Sequence, residues 1–406
     1  MTFTILGETV GDVSTKRNAQ PEINRAMDQQ TQIDLTRRVF AHIDAKTTDT
    51  SRAIMQNSAA AYTSPERLAA EQQILFGREP LLMAMTGQLP EPGDFVTDDN
   101  TDVPILIVRG DDGKARAFVN ACRHRGTRLA EGAGHVRKHL ICPYHAWSFD
   151  KAGRFAHAPS MENFEGFDFE NCQLKPLPLA ERDGLIWVRI RGDAPIDIDE
   201  HLAGLAPEFA SYGFENYQHY ESREIDCAMN WKTIIDTFLE PYHFAALHKT
   251  TVGPLLIGNL CLMDAFGRNL RETLPRKSIA ELRDQPEDDW NLVFHTALVY
   301  VLFPNTVFVV QRDHAEVWRC FPVDNDPGKS RVLLEFHIPE PATSQKARDY
   351  WDRNMDLTVR TVLEEDFPVG EGAQRGLAAG ALETVTYGKN EPALAHFQRM
   401  ISEALE

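Results

Sequence analysis

The sequence predicts an α+β protein in which a small all-β unit adjoins a larger unit of antiparallel sheet and long helices. From about residue 95 to 195 short strands alternate with turns, and "VPILIVRGDDGKARAFVNAC" has the pattern of a strand, an Asp-Asp-Gly turn and a second strand. Residues 294–323 and 330–340 alternate apolar and polar side chains, which is typical of antiparallel strands. Residues 343–367 then have the periodicity of one long amphipathic helix.

The other elements follow from local patterns. Residues 31–90 are predicted to be helical, because apolar side chains recur at helical spacing from Ile33 to Ile43 and "SPERL" begins with a serine cap before proline. "GLIWVRIRGD" predicts a strand that ends at glycine. "CAMNWKTIIDTFLEPYHFAALHK", residues 227–249, is predicted to be one helix broken by Pro241.

The composition excludes several classes of protein. A chain of 406 residues with a net charge of -18 repels phosphate, so we expect no nucleic-acid partner. Its 43% hydrophobic content excludes a disordered protein, and six scattered cysteines favour a reducing compartment over a disulfide scaffold. The N-terminus lacks the pattern of a signal peptide, and no run of about eighteen apolar residues occurs. We therefore expect a cytoplasmic protein that does not span a membrane.

Two short Cys/His pairs form the first candidate site. Cys122 and His124 are separated by one residue, and Cys142 and His145 by two. A structural zinc site is the main alternative, but zinc fingers usually group Cys with Cys and His with His. One Cys and one His from each loop suit a [2Fe–2S] cluster in which one iron takes two thiolates and the other two imidazoles. We expect the intervening histidines to face solvent: His135 and His139.

A second set of metal-binding residue types lies downstream. Asp236, Glu240 and His243 are spaced by four and three residues, which places them on one face if the segment is a regular helix. His248 follows His243 by five residues and would be rotated by about 140° on such a helix. For both imidazoles to reach one metal, the helix must end or bulge between them, and a π-type bulge would do this. Two histidines and a carboxylate form the facial triad of non-haem Fe(II) oxygenases.

The motif "CRHRG…CPYHAWSFDKAGRF" resembles the Rieske motif of the α-subunits of Rieske non-haem iron oxygenases. One departure is Ala146, where that family usually has glycine. The resemblance implies a [2Fe–2S] cluster on the two Cys/His pairs and a helix-grip (START-like) catalytic domain. In that domain it implies a mononuclear Fe(II) on His243, His248 and Asp366, with Glu364 and Glu365 as local competitors for the third position.

The resemblance also implies how electrons travel. Glu240 matches the acid that joins a Rieske histidine of one subunit to an iron-binding histidine of its neighbour, so a head-to-tail homotrimer is expected, with a β-subunit possible. Asp236 is either a supporting residue of the iron site or an ordinary surface charge. The expected division is an N-terminal helical segment at 1–80, a Rieske domain at 81–195 and a catalytic domain at 196–406.

These features predict the terminal oxygenase of a multicomponent system that uses O₂ to hydroxylate an aromatic or other small organic substrate. The alternatives are a monooxygenase that removes O- or N-methyl groups or acts on a quaternary ammonium compound, and a non-catalytic Rieske electron carrier. Electrons are expected from a ferredoxin, an NAD(P)H-dependent flavin reductase, or both, because the chain has no nucleotide-binding glycine fingerprint. Residues 111–154 hold nine basic and four acidic side chains, a local reversal of charge that favours an acidic partner or is only a solvated surface.

The substrate pocket is harder to predict. About a third of the aromatic side chains near the iron residues and on the candidate sheet are expected to line it: Phe238, Tyr242, Phe244, Phe294, Tyr300, Phe308 and Trp318. Arg312 is a candidate to bind a substrate carboxylate.

Overall fold

A computed structural model describes residues 27–406. The signal-peptide prediction, and part of the segment 1–80, concern residues 1–26 and lie outside the described residues. The α-helices of the described part are, in chain order, α1 (Gln29–Ala45), α2 (Ala60–Thr63), α3 (Pro65–Ile74), α4 (Ile198–Leu202), α5 (Ala206–Tyr212), α6 (Trp231–Phe238), α7 (Gln345–Thr361), α8 (Phe367–Ala378) and α9 (Pro392–Leu405). In the region 27–406 no helix combines the length and apolar character needed to cross a bilayer.

The strands of the same region are β1 (Met55–Ser58), β2 (Pro80–Met85), β3 (Asp94–Asp98), β4 (Ile105–Arg109), β5 (Ala115–Val119), β6 (Ala133–His135), β7 (His139–Ile141), β8 (Ser148–Asp150), β9 (Phe155–His157), β10 (Pro176–Leu177), β11 (Leu179–Arg182), β12 (Leu185–Arg189), β13 (Gln218–Cys227), β14 (Leu262–Phe266), β15 (Asn269–Pro275), β16 (Thr296–Leu302), β17 (Thr306–Val310), β18 (Ala315–Val323), β19 (Asp326–Ile338) and β20 (Thr384–Tyr387).

A seven-stranded antiparallel sheet, in the order β13-β19-β18-β17-β16-β15-β14, organises the larger unit. The predicted strands of residues 294–340 are confirmed. β16 alternates between two cores, since Val299 and Val301 pack with α6, whereas Leu298 and Tyr300 pack on the opposite face with α5. Helices thus cover both faces, which explains why every residue of β16 is buried.

The smaller unit is all-β, as predicted. It contains a five-stranded sheet in the order β10-β5-β4-β3-β6 and two three-stranded sheets, β11-β12-β2 and β7-β8-β9. The Asp-Asp-Gly hairpin is confirmed by the pairing of β4 with β5, where Arg109 lies opposite Ala115. With the larger unit, this arrangement confirms the α+β class.

The prediction of helix throughout residues 31–90 is wrong in two places. α1 and α3 are present, and Ser64 caps α3 by accepting a hydrogen bond from the amide of Arg67 at 3.1 Å. However, β1 pairs with β20 and β2 pairs with β12. All six residues of β2 are buried, and a continuous apolar run has no periodicity that separates a buried strand from a buried helix.

For residues 227–249 the predicted break at Pro241 is confirmed, but the predicted extent of the helix is wrong. β13 continues to Cys227, and α6 spans only Trp231–Phe238, with Asn230 as its cap. Glu240 is extended, at φ -155° and ψ 117°, because the residue before a proline avoids the helical region. Asp236, Glu240 and His243 therefore do not share one helical face.

Candidate metal centres and active-site pocket

Two matched loops carry the four residues of the first candidate site. The first follows β5 and the second joins β7 to β8. In each loop an amide four residues on donates to the cysteine carbonyl, Gly126 to Cys122 at 2.8 Å and Ala146 to Cys142 at 3.0 Å. Both thiols are buried in the small core around Trp147, so each loop presents one buried sulfur and one nearby imidazole.

The imidazoles of His124 and His145 lie beside each other, with ring centroids 4.8 Å apart, and His124 stacks on Trp147 at 4.6 Å. Among the described residues, no hydrogen-bond partner reaches the buried Nδ1 of either histidine. Burial and the positive charges of Arg125 and His145 lower the pKa of His124, which favours the neutral imidazole that binds metals. Two buried thiols and two imidazoles with unsatisfied nitrogens fit a [2Fe–2S] cluster. The other two histidines of this stretch are exposed, as expected.

Ala146 occupies a position where the backbone conformation favours glycine, the residue usual in the family that the motif resembles. It has φ +58°, and Gly126, the equivalent residue of the first loop, has φ +80°. A left-handed conformation costs an L-residue with a Cβ about 1–2 kcal/mol. Ala146 therefore keeps the loop geometry with some backbone strain.

A short turn after α6 sets the position of His243. Pro241–His243 form one 3₁₀ turn, and Glu240 caps it, because its Oε2 accepts the His243 amide at 2.9 Å. The other oxygen, Oε1, lies 2.7 Å from His243 Nδ1. One carboxylate thus fixes both the backbone and the ring of His243, which directs Nε2 away from Glu240.

Glu365 does the same for the second imidazole. Its Oε2 lies 2.6 Å from His248 Nδ1 and accepts the Thr251 hydroxyl at 2.6 Å. From the sequence, Glu365 is expected only as a competitor of Asp366 for the metal. No local pattern indicates its contact with His248, which lies 117 positions away in the chain.

Of the two alternatives expected between His243 and His248, the helical turn ends rather than bulges, since the 3₁₀ turn stops at His243. A π-helical bulge occurs in another element. It spans Val362–Asp366, between α7 and α8, rather than the residues between the histidines. The Phe367 amide donates to the Val362 carbonyl, and Pro368 follows, which has no amide hydrogen to continue regular pairing. The π-helical turn holds one residue more than an α-helical turn, and both Glu365 and Asp366 lie against the histidines.

Three ligand-type atoms converge at this point. His243 Nε2 lies 3.0 Å from His248 Nε2, and Asp366 Oδ1 lies 3.5 Å and 3.1 Å from these two nitrogens. Both Nδ1 atoms face carboxylates, so each ring can keep its proton on Nδ1 and bind a cation through Nε2. The carboxylates of Asp366 and Glu240 outweigh the effect of burial and raise the pKa of His243 to about 9, so the surrounding negative charge favours a positive charge at this point, either a proton or a metal ion. The donor set fits a divalent iron with two imidazoles and one carboxylate.

Asp236 contacts neither histidine. Its oxygens accept hydrogen bonds from the Tyr62 hydroxyl at 2.5 Å and from the Gln398 amide at 2.9 Å. Burial raises its pKa to about 6. The interpretation as a surface charge is therefore wrong, and any supporting role in the iron site stays a prediction.

A cavity of about 450 Å³ adjoins the converging atoms and is bounded by α6, α7 and the sheet. Three of the seven aromatic side chains considered from the sequence line it, close to the expected third: Phe238, Phe244 and Trp318. The other four do not, because two are exposed and two are buried on the opposite face of the sheet: Tyr242, Phe294, Tyr300 and Phe308. Arg312 lines the cavity, and so does Arg276, which sequence analysis did not select.

Two protein-family models match separate parts of the chain. Residues 79–177 match the Rieske [2Fe-2S] domain, and residues 214–406 match the catalytic domain of the ring hydroxylating alpha subunit.

Curated relatives match either most of the chain or about half of it. The carnitine monooxygenase oxygenase subunit of Acinetobacter baumannii is 27% identical over 354 residues, covering 84% of this chain and 92% of that protein. The glycine betaine monooxygenase oxygenase subunit of Chromohalobacter salexigens is 36% identical over 196 residues, covering 48% of this chain and 43% of that protein.

Solved structures share the fold. A quaternary ammonium Rieske monooxygenase in complex with L-carnitine superposes with a TM-score of 0.74 at 22% identity, covering 88% of this chain and 97% of that one. Naphthalene 1,2-dioxygenase with indole bound gives 0.68 at 18% identity, covering 88% and 93%. At these identities the likeness establishes the architecture.

Proposed function

The chain belongs to the Rieske non-haem iron oxygenases, as a terminal oxygenase with a [2Fe–2S] cluster and a mononuclear iron, and we propose that it monooxygenates a quaternary ammonium compound. In this reaction one oxygen atom of O₂ enters a C–H bond to give an alcohol. The other oxygen leaves as water, with two electrons and two protons supplied from outside. The non-catalytic electron carrier is a poor alternative, because His243, His248 and Asp366 form a complete metal-binding set.

The likeness to carnitine monooxygenase subunits along 84% of the chain carries the choice of substrate class. The pocket supports it, since Phe238 and Trp318 lie side by side, with ring centroids 5.1 Å apart, next to the converging histidines. Aromatic rings attract a quaternary ammonium group through cation–π contact. The expectation of aromatic-compound catabolism finds no support in the activities named for the curated relatives.

In this proposal Cys122, His124, Cys142 and His145 hold the cluster, and His243, His248 and Asp366 hold the iron. When bound, the iron activates O₂ with electrons that arrive through the cluster. The chain's own residues orient the ligands: Glu240 holds His243 and Glu365 holds His248. The apolar part of the pocket limits access of water to the substrate.

We further propose a head-to-tail homotrimer in which Glu240 lies against a Rieske histidine of the neighbouring subunit. Two exposed aromatic side chains support this arrangement. Tyr144, beside His145, is 58% exposed, and Tyr242, between Glu240 and His243, is 63% exposed. Burial of these aromatic side chains between subunits favours association of the chains. Light scattering on the purified protein measures the number of subunits directly.

The remaining proposals concern the partner, the compartment and the domains. The basic side chains of residues 111–154 would guide an acidic ferredoxin or flavin reductase toward the cluster. A cytoplasmic location is proposed from the scattered placement of the six cysteines, all of which are free thiols within residues 27–406. The division at 1–80, 81–195 and 196–406 is supported by the two family matches.

The experiment is a product assay with a surrogate reductase and O₂. Quaternary ammonium compounds (L-carnitine, glycine betaine, choline) are compared with naphthalene and indole, and hydroxylated or demethylated product is identified by mass spectrometry. Formation of product from an ammonium compound supports the proposal, whereas product from the aromatic compounds alone refutes it. His243→Ala should keep the Rieske absorption, lose turnover and contain about two rather than three iron atoms per chain.

A further inference from the structure

Polar side chains collect in the pocket where three strands of the sheet meet. β15 finishes at Pro275, opposite Thr296 at the start of β16, and β17 finishes at Val310 beside the same end of β16. The residues just beyond these strands, together with Glu316 at the start of β18, line the cavity. We call them the sheet-end cluster: Arg276, Gln311, Arg312, Asp313, His314 and Glu316.

The two acids of the cluster already have partners. Glu316 faces His314 Nε2 at 3.3 Å and accepts the Trp318 indole N–H at 3.0 Å. Asp313 lies 2.8 Å from His314 Nδ1 and also accepts the Tyr350 hydroxyl. Burial alone would lower the pKa of His314, but its contacts with these carboxylates raise it to about 9. His314 is therefore a cation at neutral pH, and it offsets part of the negative charge.

The two guanidinium groups are much less compensated. Arg276 is half-buried and donates to the Thr296 carbonyl at 3.3 Å and to Gln311 Oε1 at 2.5 Å. No carboxylate within residues 27–406 lies within 4.0 Å of Arg276. Among the described carboxylates, Arg312 approaches only that of Asp313, at 4.0 Å, and it lies over the Phe294 ring. Burial and the nearby charge of Arg312 lower the pKa of Arg276.

Three cations thus accompany two carboxylates in the cluster, and two of the cations repel each other at the cavity wall. Such an arrangement is unfavourable until an anion pairs with the guanidinium groups. Guanidinium and carboxylate groups form short, charge-assisted hydrogen bonds, often two at a time. A carboxylate therefore matches the unpaired guanidinium groups in charge and in hydrogen-bonding geometry.

We propose that Arg276 and Arg312 bind the carboxylate of the substrate and make this oxygenase selective for carboxylate-bearing compounds. Gln311 positions Arg276, and the aromatic pair Phe238 and Trp318 receives the opposite part of the molecule. The reaction and the ammonium group rest on the proposed function, whereas the carboxylate rests on the sheet-end cluster alone. A substrate that is only a cation, such as choline, leaves both guanidinium groups unpaired.

The test separates the two ends of the substrate. Glycine betaine and γ-butyrobetaine are compared with their methyl esters, and each acid also with the isostere in which carbon replaces nitrogen. Binding is measured by calorimetry on the holoenzyme without reductant, and KM is measured where turnover occurs. Arg276→Gln and Arg312→Gln are the variants. Arg331→Gln is the control, since Arg331 pairs with Asp226 on the outer part of the sheet and does not line the cavity.

We expect the acids to bind at least about 10-fold more tightly than their esters, and each variant to weaken acid binding by about 10- to 100-fold without affecting ester binding. Arg331→Gln should bind like the wild type. Equal affinity for acid and ester in the wild-type protein, or full preference in both variants, overturns the proposal. If Arg276→Gln does not fold, the wild-type comparison and Arg312→Gln still decide. If acids bind through these arginines but no ammonium compound is oxidised, the proposed function fails and the carboxylate site stands.

Discussion

Replacement of Glu365 by alanine isolates how the structure prepares His248 to bind metal. Glu365 Oε2 accepts hydrogen bonds from two groups at 2.6 Å, His248 Nδ1 and the Thr251 hydroxyl. Without it the imidazole loses the partner that fixes its tautomer and its orientation toward Asp366. The neighbouring Glu364 is exposed, so Glu364→Ala removes the same charge one residue away and serves as a matched control.

The expected loss can be worked from this contact. A hydrogen bond to a charged group contributes about 1.5–3 kcal/mol. Removal of the groups that orient a metal-binding histidine typically lowers metal affinity by about 10- to 100-fold, which corresponds to about 1.4–2.7 kcal/mol. The two ranges agree, so we expect a loss of this size for Glu365→Ala. For Glu364→Ala the change should be within about 3-fold, because an exposed charge acts only weakly through water.

Anaerobic calorimetry with Fe(II) measures this difference on protein that keeps its cluster, and the Rieske absorption checks that the small domain is intact. Oxygenase activity of each variant, measured at an Fe(II) concentration that saturates the site, is a second readout. If Glu365→Ala binds iron as tightly as the wild type, or if Glu364→Ala weakens binding equally, the assignment of Glu365 is wrong.

Three further predictions concern stability. Glu71→Gln should destabilise the fold by about 3–5 kcal/mol in denaturant unfolding, because it removes the carboxylate that lies 2.8 Å from the ammonium group of the fully buried Lys232. Glu287→Gln removes a carboxylate from an exposed ion pair and should leave the unfolding midpoint nearly unchanged. Ala146→Gly should raise stability by about 1 kcal/mol through relief of its φ of +58°, measured as a higher Tm with unchanged Rieske absorption, and a lower Tm would contradict the strain. Burial raises the pKa of Asp236 from 3.8 to about 6 in the folded protein. As the pH rises, this carboxyl therefore loses its proton in the unfolded chain before it does in the folded one, and its contribution to the free energy of unfolding falls between about pH 4 and about pH 6. Asp236→Asn should flatten that part of the stability–pH profile, and an unchanged slope would exclude the residue as its cause.

The predictions from the sequence are wrong where one local pattern of residues is compatible with two backbone conformations. The spacing of Asp236, Glu240 and His243 looked helical, yet Pro241 stops the helix and makes Glu240 the cap of a new turn. The proline was visible, and its effect on the preceding residue was the signal that the helical interpretation missed. Between the histidines the sequence allowed either a bulge or a helix end; the helical turn ends there, and the π-helical bulge occurs at Val362–Asp366, where Pro368 follows.

The sequence by itself determined the pairs of Cys and His, the hairpin that precedes them, the strands of residues 294–340 and the two histidines as candidate metal ligands, whereas the choice of Asp366 over Glu364 and Glu365 came from the family resemblance. Those signals are local, because ligand chemistry and side-chain periodicity depend on residues close together in the chain. Only the tertiary structure decided the contacts of Glu365 with His248 and of Arg276 with Gln311, which lie 117 and 35 residues apart. Such pairs arise from strand register and helix packing, and no spacing in the sequence encodes which distant polar groups will share one cavity.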